Sequence, residues 1–307
     1  MKDWSAADIP DQSGKFAIVT GTGGLGYETT LELARHGAQI VLAGRNADKG
    51  AQSVWKIQAA VPRARVEFED LDLADLKSVA AFAARMNARA APLDLLVNNA
   101  GVMAFAQRRT TVDGFETQFG TNHLGHFALT ARLLPLLRAA RSPRVVTVSS
   151  HLHHVGKIDF DDLQALRRYT PNGAYAQSKL ANLLFALELQ RRSDAAGWKI
   201  LSNAAHPGGA ATDLIPNGPG VATRGIAGWL TPVMNRMLLQ SPAGGALPQL
   251  FAATAPDAMP AVYYGPQHRF GLKGPPGIAR MSKRTRDKAV AARLWEASEK
   301  LTGVTFG

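Results

Sequence analysis

The sequence predicts a single α/β domain over residues 1–307, doubly wound, with a parallel sheet of about seven strands and helices on both faces. Three observations predict it. Short apolar, β-branched runs alternate with segments whose apolar residues recur at helical spacing, the pattern of successive βα units. The first of those runs passes directly into a glycine-rich loop that opens a helical pattern. The length of 307 residues, with 46% hydrophobic and 19% charged side chains, suits one large globular core.

The first strand is Phe16–Thr20, FAIVT, and it ends in Gly21-Thr22-Gly23-Gly24-Leu25-Gly26. A helical pattern follows, with Thr29, Thr30, Leu31, Leu33 and Ala34 ending at Gly37. Gly21, Gly23 and Gly26 satisfy G-x-G-x-x-G in the strand–loop–helix context that the motif requires. Bare backbone there lets a pyrophosphate approach the free N–H groups of a helix N-terminus. A second strand over 39–43 completes the βαβ unit, so the segment is expected to bind a dinucleotide. At the end of that strand an NAD site would place Asp or Glu for the ribose 2′-hydroxyl, whereas the chain reads Leu42-Ala43-Gly44-Arg45-Asn46. Arg45, with Lys49 nearby, can pair instead with a 2′-phosphate. NADP(H) is therefore the favoured cofactor, with NAD(H) possible.

Residues 65–68 read as the third strand, with Asp72 in the loop after it and Asp75 as the N-cap of a helix to about Arg89. The fourth strand, 93–97, runs into Asn98-Asn99-Ala100-Gly101, small and amide side chains that let backbone and cofactor come close. A long helix over 113–137 carries Asn122. The fifth strand, 144–149, has Ser149 as a buried strand residue and Ser150 at its carboxyl end, where a hydroxyl can donate to a carbonyl. Residues 174–190 place Leu180, Leu183, Leu184, Leu187 and Leu189 on a wide apolar stripe, so this helix is expected to be largely buried. Tyr175 and Lys179 stand four apart, on one face of it. An ammonium so close to a phenol is expected to favour the phenolate and bring it toward neutral pH, the equipment of a general acid/base.

Taken together, these residues resemble a short-chain dehydrogenase/reductase. The glycine loop follows the first strand; N-N-A-G, an Asn on the long helix, a Ser after the fifth strand and Tyr-x-x-x-Lys come in order. Within that superfamily, Asn122-His123-Leu124-Gly125-His126-Phe127, Val148-Ser149-Ser150-His151, Tyr175-Ala176-Gln177-Ser178-Lys179-Leu180-Ala181-Asn182 and His206-Pro207-Gly208 are similar to the retinol-dehydrogenase-like group. The resemblance implies a Rossmann-type fold with a core over 16–206. It implies Tyr175 as the proton donor and acceptor, Lys179 as the group that lowers its pKa and holds the nicotinamide ribose, Ser150 as the polariser of the substrate oxygen, and Asn122 as the positioner of a relay water. It also implies adenine contacts at Asp72 and Leu73, cofactor contacts at Gly24, Leu25, Asn99, Ala100 and Gly101, and a nicotinamide turn at Pro207, Gly208 and Thr212. The first loop departs from the family pattern T-G-x-x-x-G-x-G in being one residue shorter.

The resemblance places a substrate lid over 213–240, where Trp229, Met234 and Met237 suit a wide apolar pocket. The expected substrate is accordingly a bulky lipophilic or aromatic alcohol, aldehyde or ketone, with a non-catalytic nucleotide-binding regulator as the alternative on the same fold. His151, His153 and His154 cluster in the insert before Tyr175 without a carboxylate pattern, so no metal is expected. A final helix is expected over 282–301. The chain has no cysteine, which excludes disulfides and thiol nucleophiles. No apolar run approaches the roughly 18 residues of a membrane span, and the chain is expected to be cytoplasmic. The net charge of +11 is scattered along the chain, which argues against a nucleic-acid partner. Relatives pair through the helices holding Asn122 and Tyr175, and the long insert could shield that surface, so monomer and homodimer both stand open.

Overall fold

A computed structural model describes residues 3–103, 105–209 and 240–307. Eight strands form one sheet: β1 Phe16–Thr20, β2 Gln39–Gly44, β3 Arg65–Asp70, β4 Leu95–Asn98, β5 Arg144–Val148, β6 Leu201–Ala205, β7 Tyr263–His268 and β8 Lys273–Ile278. The α-helices are α1 Gly24–Arg35, α2 Ala47–Ala60, α3 Leu76–Ala88, α4 Thr117–Phe119, α5 Gly125–Arg132, α6 Leu134–Ala139, α7 Pro171–Ala196, α8 Pro242–Thr254 and α9 Lys288–Thr302.

The strand order is β3-β2-β1-β4-β5-β6-β7-β8, parallel through β7. β8 is one strand more than the sequence suggests, and it runs antiparallel to β7. Its sequence, KGPPGI, carries none of the usual strand signals; at a sheet edge, prolines need not supply ladder donors.

Side chains alternate across the sheet, and both sides are apolar. Phe16 and Ile18 of β1 join Val41, Ala43, Leu96 and Val145 in one core. Ala17 and Val19 point the other way, to Ile40, Leu42, Leu95, Val97 and Val146. Strands buried on both faces read as continuous hydrophobic runs, which is why FAIVT is so legible. The first core is covered by α3, α5 and α7 and the second by α1 and α8, with Phe82, Phe127 and Phe185 on one side and Leu31, Leu33 and Leu250 on the other. Asn46 and Asp75 cap α2 and α3 with side-chain oxygens, and α7 and α9 end at Gly197 and Gly303 in left-handed conformations.

α7 is buried on more of its circumference than its leucine stripe requires, because the sheet lies beneath it and α9 lies across it. Trp295 of α9 stacks on Phe185 of α7 with ring centroids 5.7 Å apart, and Phe306 closes the same cluster 4.3 Å from Trp295. The basic run at Lys283–Arg286 forms a 3₁₀ turn ahead of the helix, and Asp287 caps α9.

The long helix expected over 113–137 is broken. α4 passes into a π turn at Gly120–Leu124 before α5 begins at Gly125, and Asn122 sits inside that turn. The helical periodicity continues through the turn, so the sequence does not reveal it.

β1 is flanked by β2 on one side and β4 on the other, and the chain winds away from it in both directions. The carboxyl ends of β1 and β4 therefore bound a crevice at the switch point, where open α/β sheets take their ligands.

Candidate active site

Gly21 leaves β1 with φ +97°, and its N–H donates to Ala43 O at 2.7 Å. A Cβ on Gly21 would lie 2.9 Å from Asn99 Nδ2, and one on Gly26 would lie 1.9 Å from Gly21 O. Glycine at both positions is thus a steric requirement, and the shortened loop folds as a closed cradle. Gly23 stands at the N-cap of α1 with no side chain closing the helix end, so the first N–H groups are left to an outside acceptor. The loop is pinned from α2, where Ser53 Oγ donates to Thr22 O at 2.7 Å.

A cavity of about 500 Å³ opens over this cradle. Gly21, Gly23, Gly24 and Leu25 line it, together with Arg45, Asp72, Leu73, Asn99, Ala100 and Gly101, ten of the residues expected from the sequence. Lys49, Asn46 and Phe105 line it as well. Arg45 and Lys49 are exposed, placed at one end of the cavity beyond β2. These features fit a dinucleotide: bare glycine backbone, uncapped helix N–H groups and two cations at the far end.

The loop after β4 is fixed from two sides. Thr20 Oγ1 accepts from Asn99 N at 2.9 Å and from Ala100 N at 3.0 Å, while Asn99 Nδ2 donates to Thr20 O at 2.7 Å. Asn122 Oδ1 accepts from Val102 N at 2.8 Å, and its Nδ2 donates to Val102 O at 3.0 Å and to Ser178 Oγ at 3.0 Å. The Asn122 side chain thus clamps Val102 to the π turn. Thr20 is a site residue that sequence reading missed, since its role depends on β1 lying beside β4.

At the other side of the crevice, Ser150 follows β5 and caps the 3₁₀ turn His151–His154, its Oγ accepting from Leu152 N at 3.2 Å. Ser149 lies just past the strand and is buried, donating to Lys179 O at 2.7 Å. Tyr175 and Lys179 are both buried on the first turns of α7. Burial pushes the Tyr175 phenol up to about 12, against the Ser150 hydroxyl, whose hydrogen bond lowers it. Burial likewise pushes Lys179 down to about 8. The expected lowering of the phenol by Lys179 is absent here. Nζ stands 5.6 Å from the Tyr175 ring centroid and donates to Val148 O at 3.1 Å.

Gly101 joins the two halves. A Cβ there would lie 3.2 Å from Asn122 Oδ1 and 3.4 Å from Lys179 Nζ, so this residue of the cavity lining abuts the lysine. Gly208, at φ +65°, turns the chain after β6 beside Leu272 O, and Pro207 O accepts from Gln240 Nε2 at 2.7 Å. Thr212 and all of the expected lid except Gln240 lie outside the described residues. His153 is buried and bonded to Ser150 O, and among the described residues no group of His, Asp and Glu is arranged to hold a metal ion. Among the same residues no helix is long and apolar enough to cross a membrane.

Comparison with known proteins adds three kinds of likeness. Residues 15–218 match the family model of the short chain dehydrogenases. The chain is 42% identical to polyprenol dehydrogenase of Mus musculus over 99% of this chain and 89% of that protein. It is 40% identical to retinol dehydrogenase 13 of Homo sapiens over 98% of this chain and 87% of that protein. A crystal structure of an uncharacterized protein from Mycobacterium paratuberculosis shares 41% identity, with a TM-score of 0.81 and complete coverage of both chains. A short chain dehydrogenase of Shigella flexneri complexed with NADP shares the fold at 22% identity, with a TM-score of 0.65 over 83% of this chain and 97% of that one.

Proposed function

Because the chain belongs to the short-chain dehydrogenase/reductase family, in its retinol-dehydrogenase-like group, we propose that it is an NADP(H)-dependent oxidoreductase of bulky lipophilic alcohols, aldehydes or ketones. The observation that carries the reading is a glycine-floored cavity lined by Arg45 and Lys49, whose lining residue Gly101 abuts Lys179 of the Ser150–Tyr175–Lys179 group.

The pyrophosphate would lie on Gly21–Gly26 and the α1 N-terminus, the 2′-phosphate against Arg45 and Lys49, and the nicotinamide ribose near Lys179. When bound, the dinucleotide supplies or accepts the hydride. In reduction Tyr175 Oη gives its proton to the carbonyl oxygen, and in oxidation it takes one from the alcohol; Ser150 donates to the same oxygen and polarises it. Lys179, held off the phenol by the Val148 carbonyl, contributes positive charge at the ribose side of the site. Likeness to polyprenol and retinol dehydrogenases supports an apolar, extended substrate.

Titration of the purified protein with NADPH and NADH, followed by nicotinamide fluorescence, tests the reading. Tight NADPH binding with weaker NADH binding, and NADPH oxidation on adding bulky aldehydes, is the expected result. Binding of neither dinucleotide would overturn it and favour a non-catalytic protein on this fold.

A further inference from the structure

His126 is fully enclosed on the first turn of α5, and both ring nitrogens are engaged. Nδ1 lies 3.0 Å from Asn122 O and Nε2 lies 2.9 Å from Thr20 Oγ1. A backbone carbonyl can only accept, so Nδ1 must carry the hydrogen. Burial holds the ring neutral, pushing its pKa down to about 4 with Lys179 acting in the same direction. Nε2 is then bare and accepts the Thr20 hydroxyl hydrogen, in preference to the Val97 carbonyl at 3.3 Å.

The direction of every bond in the circuit is thereby fixed. Asn99 and Ala100 donate to Thr20 Oγ1, Thr20 donates to His126, and His126 donates to the carbonyl of Asn122, whose own side chain grips Val102. The loop that lines the dinucleotide cavity is held at Asn99–Ala100 by β1 and at Val102 by the π turn. The imidazole links the two clamps across 106 residues of sequence. Gly101 lies between them, where a Cβ would stand 3.4 Å from Lys179 Nζ.

We propose that His126 is a positioning residue that locks the loop 98–102 to the turn bearing Asn122 and so sets how tightly the dinucleotide is held. The proposal rests on the dinucleotide reading above; it gives a role to a side chain that touches neither substrate nor cofactor. Loss of the link should weaken dinucleotide binding more than it slows the chemical step.

The test compares the full-length wild type with His126→Phe, which fills the space without hydrogen bonds, and His126→Asn, which keeps a donor for the Asn122 carbonyl but cannot reach Thr20. Kd for NADPH, the split between KM and kcat, and Tm are measured for each. Both variants should raise Kd and the NADPH KM about ten-fold with kcat within about three-fold, the scale of one lost buried hydrogen bond. Either folded variant suffices. Wild-type Kd and KM in a variant whose Tm alone falls would overturn the proposal, as would a kcat loss at unchanged Kd. A wild type that binds neither NADPH nor NADH would remove the dinucleotide reading and this inference with it, whereas binding that is equal in wild type and variants removes only the inference.

Discussion

Lys179 Nζ donates to the carbonyl of Val148 at 3.1 Å, so the ammonium of α7 is anchored to the last residue of the strand that delivers Ser150. Asn182 Nδ2 donates to the same oxygen at 3.1 Å. Two turns of α7 are thereby tied to the end of β5, and the relative placement of Ser150 and Tyr175 follows from the fold rather than from loop geometry. Burial outweighs the Ser150 hydrogen bond at the Tyr175 phenol and holds it above its ordinary range.

Arg45 and Lys49 are the cations at the far end of the cavity. Replacing both with alanine should weaken NADPH by roughly ten- to a hundred-fold, the scale of charge-assisted hydrogen bonds, while NADH changes by no more than about three-fold. Fluorescence titration of the double variant reads both. Equal losses for the two dinucleotides would remove these side chains as readers of the 2′-phosphate.

Gly26→Ala places a Cβ 1.9 Å from the Gly21 carbonyl oxygen, backbone that cannot yield without moving the loop. Overpacking of this kind costs about 1–3 kcal/mol, so dinucleotide affinity should drop roughly ten- to a hundred-fold while the far-UV spectrum is unchanged. An unaltered Kd would show that the loop binds nothing.

Four buried histidines make the fold sensitive to acid. Burial pushes His123 and His206 down to about 3 and His126 and His153 to about 4, from 6.5. A basic group so depressed binds its proton better in the unfolded chain. Its contribution is complete above about pH 6.5 and is lost as pH falls toward those folded-state values. Thermal unfolding between about pH 8 and about pH 4 should show Tm declining from about pH 6.5 downward, before most carboxylates titrate. A constant Tm down to about pH 5 would contradict these burial assignments.

Much of this site was legible as sequence because its pieces are local. FAIVT gives β1 with its observed ends, and Tyr175 and Lys179 lie on one helix face by spacing alone. Ten of the expected cofactor residues line the cavity since each sits at or just after the carboxyl end of a strand. What stayed hidden depends on tertiary neighbours. Thr20 and His126 acquire their roles from a contact between residues 106 apart. The π turn at Asn122 leaves no mark on the apolar periodicity, and β8 is a strand only because β7 offers it an edge. The depth of burial that raises the Tyr175 phenol comes from tertiary packing around α7, which four-residue spacing does not disclose.

The role of Tyr175 is read by setting wild type beside Tyr175→Phe, with NADPH and a bulky lipophilic aldehyde, and following NADPH oxidation and Kd in parallel. The wild type should turn over and the variant should lose at least about a hundred-fold in kcat, the usual range for removal of a general acid, with Kd for NADPH within about three-fold. Turnover at the wild-type rate in Tyr175→Phe would contradict that role.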